Sequence, residues 1–147
     1  MKVYFATDHA GFHLKNAVLA FVRDELGYAV EDCGAYEENA EDDYPDFIKK
    51  AAQAVSSDPN NSRAIILGGS GQGEAMCANR FSHVRATVYY GGNPEIITLS
   101  RGHNDANVLS LGARFLSPDD AQEVVRKWLS TDFSGEERHL RRLAKLG

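Results

Sequence analysis

Cysteine is scarce in this chain. Only Cys33 and Cys77 occur, with no CxxC pair and no His/Cys spacing suited to zinc. A disulfide framework is therefore not supported, and a reducing cytoplasm is the expected compartment. Long hydrophobic runs are missing as well: no stretch approaches the roughly 20 apolar residues that a membrane-spanning helix needs. The opening "MKVYFATDHAG" turns polar before an apolar leader can form, so no secretory signal is expected. An excess of positive charge is also lacking. The formal net charge is −5, which argues against a nucleic-acid-binding surface as the main business of the chain. No internal repeat, low-complexity tract or linker interrupts it.

What is present suits one folded unit. The 147 residues are 43% hydrophobic and 25% charged, enough for a proper core, so residues 1–147 are expected to form a single domain. Strand-like runs at 2–7, 28–34, 63–67, 84–90 and 106–112 alternate with helical patterns at 12–26, 45–55, 93–102 and 117–130. Leu14, Val18, Phe21, Val22 and Leu26 mark the apolar face of the first helix, with Gly27 as its stop. Ser117, Pro118 and two aspartates open the fourth in the manner of a helix N-terminus. A basic segment at 134–146 is expected to be helical, with apolar residues only at Leu140, Leu143 and Leu146. Such alternation predicts an α/β fold with a five-stranded parallel sheet and helices on both faces, because parallel neighbours require crossovers. Ligands then belong outside the carboxyl ends of the strands.

Three loops that follow strands carry unusual chemistry. The stretch "AIILGGSGQGE" runs a buried-type strand into glycines at 68, 69, 71 and 73, then Glu74. It lacks the Lys-Ser/Thr of a Walker loop and the G-x-G-x-x-G spacing of a dinucleotide fingerprint. What remains is a strand–glycine loop–helix able to aim several N–H groups at one oxygen, with the Ser70 hydroxyl beside them. A standing phosphate would be repelled by Glu74. An oxygen that becomes negative only during a reaction would not, and Glu74 would then be the general base that creates that charge. The alternative is a tight turn in which Glu74 merely favours a helix N-terminus.

Asp8 and His9 end the first strand and could bind hydroxyls or shuttle a proton, or be a helix cap and a surface histidine. His103 and Asn104 precede strand five and could face a ligand, or form an Asx-type turn. Arg138 and Arg142 lie four apart on one helix face and suit a phosphate, or are a solvated basic helix end. Asp42, Asp43 and Tyr44 sit in the acidic loop 35–45, which could reach a sugar or be solvated. His13 reads as a surface residue, Met76 and Cys77 as packing residues, and Trp128 as a core aromatic.

The stretches "DHAGFHLK", "DDYPDF", "GGSGQGE", "ANR", "RGHNDANVLSLGAR" and "ERHLRR" occur in that order over nearly the whole chain. Together they resemble the ribose-5-phosphate isomerase B family, which also includes the paired subunits of galactose-6-phosphate isomerase. The resemblance implies a Rossmann-like doubly wound sheet and an aldose–ketose isomerisation through an enediolate without metal or other cofactor. It also implies homodimers or tetramers whose active site is shared between two chains, with the C-terminal helix packing on the partner. By position, Asp8, His9 and His103 would bind and open the furanose ring, with Asn104 in the same pocket. Gly69, Ser70, Gly71 and Gly73 would form the anion hole, and Tyr44 would contact the sugar. Arg114, Arg138 and Arg142, with His139 nearby, would grip the phosphate. Many members carry a cysteine base just before the glycine loop, and here that position is Gly68. The chain looks like the branch in which a glutamate at the end of the loop, Glu74, does that work. A six-carbon sugar phosphate as substrate and a non-catalytic sugar-phosphate-binding module are the alternatives.

Overall fold

A computed structural model describes residues 1–146. Strand β1, Lys2–Thr7, runs into Asp8, whose carboxylate caps a short 3-10 turn, His9–Gly11, by accepting the Ala10 N–H at 3.0 Å. Helix α1, Phe12–Asp24, follows and turns Leu14, Val18, Phe21 and Val22 inward, as their spacing dictates. It ends two residues earlier than its pattern predicts, and Gly27, at a φ of 75°, turns the chain into β2, Ala29–Asp32. Pro45 opens α2, Pro45–Ser57, where its missing N–H is not needed. Then come β3, Ser62–Gly68, and the short α3, Gln72–Ala78. Strand β4, Ala86–Tyr89, leads to α4, Glu95–Gly102, and β5, Val108–Gly112. Helix α5, Pro118–Ser130, is capped by the Ser117 hydroxyl, which accepts from the Asp120 N–H at 3.1 Å. The last helix, α6, covers only Glu137–Leu143, half of the predicted segment.

All strands are parallel, in the order β2-β1-β3-β5-β4. Strand β3 lies in the middle, which is why its run Ala64, Ile65, Ile66 and Leu67 is wholly buried. Its side chains alternate between two cores. Ile65 and Leu67 join Val18, Phe21, Leu109, Val125 and Trp128 under α1 and α5. Ala64 and Ile66 join Ile48, Ala52, Val55 and Ala78 under α2 and α3. The sheet is thus doubly wound, as predicted. From β1 the chain steps outward to β2 on one side and inward to β3 on the other. That reversal makes the β1/β3 boundary the switch point, where the two crossovers diverge and leave a crevice at the carboxyl edge.

Several local readings need correction. Strand four starts at Ala86 rather than 84, because the Arg85 N–H donates to the Asn107 side chain at 2.7 Å instead of to a strand. Strand five likewise starts at Val108. Met76 is not a packing residue: it is 69% exposed, since the seven-residue α3 turns Glu74, Ala75 and Ala78 inward. Lys15, on the inner face of α1, is fully buried. Its ammonium donates to both Asp32 oxygens and to the Ala35 carbonyl, each at 2.7 Å. A buried cation needs that full set of acceptors, and the set pins the start of the acidic loop to α1. Among the described residues no helix is long and apolar enough to cross a membrane.

Candidate active site

Gly68 closes β3, and the Glu74 carboxylate fills the space that a side chain at position 68 would occupy. A Cβ built on Gly68 overlaps the Glu74 carboxyl carbon and both of its oxygens. The loop can fold back so tightly for two reasons. Gly71 takes a φ of 78°, in the left-handed region that other residues enter at a cost. The Ser110 hydroxyl on β5 then holds the turn, donating to the Gly71 carbonyl at 2.6 Å. Glu74 ends up in the first turn of α3, 4% exposed. Burial pushes its pKa above the usual carboxylate value. Its own backbone N–H opposes the rise, and the neighbouring Asp8 charge adds to it. A carboxylate held this way is a stronger base than an exposed one.

The groups around it arrive from four loops at the carboxyl edge. Asp8 and His9 come from the end of β1, and Tyr44 from the acidic loop. Gly69, Ser70 and Gly73 belong to the glycine loop, and Arg114 follows β5. With Glu74 they line one cleft of about 370 Å³. The Arg114 guanidinium lies on the face of Gly69, and the Tyr44 ring on Gly73, each where a Cβ would crowd it. Gly71 is not part of the lining; it turns the loop. Asp42 accepts both the His9 backbone N–H at 3.1 Å and the ring Nδ1 at 2.6 Å. That contact, and behind it the Asp8 and Asp42 charges, raises the His9 pKa. The donor atoms of Asp8, His9 and Asp42 lie within 4.8 Å of one another, close enough to share a cation.

The other residues singled out in the sequence gather elsewhere. His103 ends α4, and Asn104 follows it toward the amino edge of β5, away from the cleft. The His103 ring stacks on His139 of α6, centroids 4.3 Å apart at 14°. His139 is 4% exposed, and burial followed by the His103 charge lowers its pKa. Arg138 and Arg142 are exposed beside it, Arg138 pairing with Glu136 at 2.8 Å. Asn104 lines a cavity of about 570 Å³ between β4 and α6, together with Arg85 and Leu143. Within one chain, then, Glu74 meets Asp8, His9, Ser70, Tyr44 and Arg114, but not His103, Asn104, Arg138, His139 or Arg142. Part of the "RGHNDAN" stretch is structural. Asp105 accepts from Arg101 and Arg85, each at 2.8 Å, and fixes the turn between α4 and β5.

Sequence reasoning left out one group at the cleft and did not separate another from its neighbours. Asp42 was one acid among several in a loop without period. Phe115, next to Arg114, also lines the cleft; it is 62% exposed and stacks edge-on against Tyr90.

Fold and cleft define a doubly wound α/β protein with a buried carboxylate beside a glycine loop at its switch point. The chain belongs to the ribose/galactose isomerase family, whose model matches residues 3–146. It is 38% identical over 143 residues to the ribose-5-phosphate isomerase B of Mycolicibacterium paratuberculosis, covering 97% of this chain and 87% of that protein. Its structure superposes with a TM-score of 0.93 on ribose-5-phosphate isomerase B from Mycoplasma genitalium with bound ribulose-5-phosphate, at 32% identity, covering 99% and 93% of the two chains. The Thermotoga maritima ribose 5-phosphate isomerase gives 0.89 at 39% identity, covering 99% and 96%.

Two predictions follow from the Gly68–Glu74 contact and test it without any substrate. The raised Glu74 pKa means that the folded state holds its proton more tightly than the unfolded chain does. Stability therefore falls as pH rises from the ordinary carboxylate range through the raised value, and stays lower above it. Glu74→Gln should melt higher than the wild type at pH 7, with the gain vanishing by about pH 4, where an ordinary carboxylate is itself protonated. Thermal melts across that range check the sign. Gly68→Ala should destabilise by about 1–3 kcal/mol through overpacking. The same change on a Glu74→Ala background should cost far less, and equal losses in a double-mutant cycle by urea unfolding would rule the contact out.

Proposed function

We propose that the chain interconverts D-ribose 5-phosphate and D-ribulose 5-phosphate in the cytoplasm, within the pentose phosphate pathway, with Glu74 as the general base. The observation that carries the reading is the buried carboxylate of Glu74 in the space vacated at Gly68, beside the glycine loop. A binding module has no use for a base desolvated in this way; proton abstraction next to a carbonyl does.

Glu74 takes the proton from C2 of the open-chain aldose. The resulting enediolate oxygen is held by the loop N–H groups of Gly69, Ser70 and Gly73 and by the Ser70 hydroxyl, donors worth about 3–4 kcal/mol each in such a role. The proton returns to C1, and a hydroxyl proton moves from O2 to O1. No electrons leave the sugar, so no redox partner is required, and the proposed reaction uses no cofactor. Asp8, His9 and His103 bind and open the furanose ring, Tyr44 borders the sugar, and Arg114 takes part of the phosphate charge.

His103, Asn104, Arg138, His139 and Arg142 would complete the pocket from a second copy of the chain, in a homodimer or a larger assembly. The exposure of Arg138, Arg142 and Leu140 on α6 supports that reading. The family's other named sugar, galactose, keeps six-carbon phosphates as the rival substrates.

Isomerisation of ribose 5-phosphate by wild type and Glu74→Gln, in chelator, is the direct test. Loss of about three or more powers of ten in kcat, with substrate still bound, is expected for removal of the base. Retained activity in the mutant would refute Glu74 as base, and turnover of galactose 6-phosphate alone would replace the substrate. Sharing has its own test. Mixed Glu74→Gln and Arg138→Ala chains should regain about a quarter of wild-type activity, because random pairing gives half heterodimers with one intact site of two. No recovery after verified subunit exchange would refute the shared site.

A further inference from the structure

Asp42 opens the "DDYPDF" stretch, and its side chain is only 9% exposed and is directed at the cleft histidine. One oxygen, Oδ1, accepts two bonds from a single residue: the His9 backbone N–H at 3.1 Å and the ring Nδ1 at 2.6 Å. The other, Oδ2, is buried and has no hydrogen-bond partner among the described residues. A buried carboxylate so sparsely solvated is tolerable when a positive charge sits against it. Among the described residues, the only one that hydrogen-bonds this carboxylate is His9. Two bonds to one atom also fix the rotation of the ring. Since an ionised carboxylate only accepts, Nδ1 must carry a proton, and Nε2 is the nitrogen left free for the cleft.

We propose that Asp42 is a positioning residue for His9, holding its imidazole with Nδ1–H on the carboxylate and Nε2–H presented to an anionic oxygen of the sugar phosphate. The arrangement is that of a carboxylate behind a functional histidine, reached here across 33 positions of sequence. The loop that carries Asp42 is itself anchored. Lys15 ties its start at Ala35 to α1, and Tyr44, two residues past Asp42, rests on Gly73. The charged groups facing His9 are Asp8 from β1, Asp42 from the acidic loop and Arg114 after β5. Glu74 of α3 and Tyr44 line the same cleft. Both aspartates favour the imidazolium and Arg114 opposes it, so the net bias toward a cation depends on Asp42.

The proposal builds on the isomerase reading for its kinetic half only. Its spectroscopic half needs no activity. The imidazole nitrogens of 15N-labelled wild type, Asp42→Asn and Asp42→Glu are titrated by NMR, with His9 assigned through His9→Gln. In the wild type, His9 should titrate above the ordinary imidazole range with Nδ1 protonated throughout. In Asp42→Asn the midpoint should fall, and in Asp42→Glu it should return toward the wild-type value. With ribose 5-phosphate, Asp42→Asn should lose about 10- to 100-fold in kcat/KM, as carboxylates behind metal-bound histidines do. Most of the loss should be a raised KM, with the basic limb of the pH profile moved to lower pH and Asp42→Glu partly restored. An unchanged His9 titration in a folded Asp42→Asn chain would overturn the proposal, whatever the activity. So would a wild-type activity that chelation abolishes and a divalent metal restores, because Asp8, His9 and Asp42 would then be ligands to a cation. If the titration shifts as expected but no sugar phosphate is turned over, the positioning role stands and the isomerase reading fails.

Discussion

Two groups share one small volume at the end of β3: the missing side chain of residue 68 and the carboxylate of residue 74. Much of the cleft depends on that exclusion. Because nothing projects from Gly68, α3 can begin after only three intervening residues and still fold its first turn back over the strand. The left-handed Gly71 and the Ser110 bond to its carbonyl hold this return, and Ser110 stands on the neighbouring β5. The loop is thus seated on two central strands. Its amides keep one position because the strands beneath them are buried on both faces and cannot slide independently.

Electrostatics at the carboxyl edge follow from the same packing. Glu74, Asp8 and Asp42 place three acids around a cleft whose nearest cation is Arg114. Burial and the Asp8 charge raise Glu74, whereas the Asp42 bond raises His9. Both shifts favour the protonated form, which is neutral for the acid and cationic for the imidazole. The first makes a carboxylate more willing to take a proton, and the second makes an imidazole less willing to give one up. A carboxylate with raised proton affinity and a histidine biased toward its cation thereby share one cleft. The cost is borne by the fold: a desolvated carboxylate weakens the native state wherever it is ionised.

The two ends of the sheet divide the work. The carboxyl edge holds the cleft. The amino edge near β4 and β5 holds His103 stacked on His139, and the Asp105 turn braced by Arg85 and Arg101. Arg138 and Arg142 lie exposed beside that stack. One chain thus carries the Glu74 cleft at one edge of the sheet and the exposed Arg138 and Arg142 at the other.

The sequence by itself determined the alternation of strands and helices, because periods of 2 and 3.6 residues are local and survive without neighbours. It also marked the glycine loop and Glu74, since four glycines in six positions have few other uses. Asp8 and His9 were legible as residues just past a strand end, and Arg114 through the family resemblance. Other features were decided only by the tertiary structure. Lys15 sits in an amphipathic pattern that says nothing of burial, until Asp32 and Ala35 arrive from β2 and the loop beyond it. Asp42 was indistinguishable from Asp43 until the path of the loop set it against His9. His103 already read as lying ahead of strand five, away from its carboxyl end, but its stack on His139 appeared only when α6 folded back against α4. In each case the deciding contact joins residues far apart in the chain, and such contacts are set by strand order and loop path rather than by any local pattern.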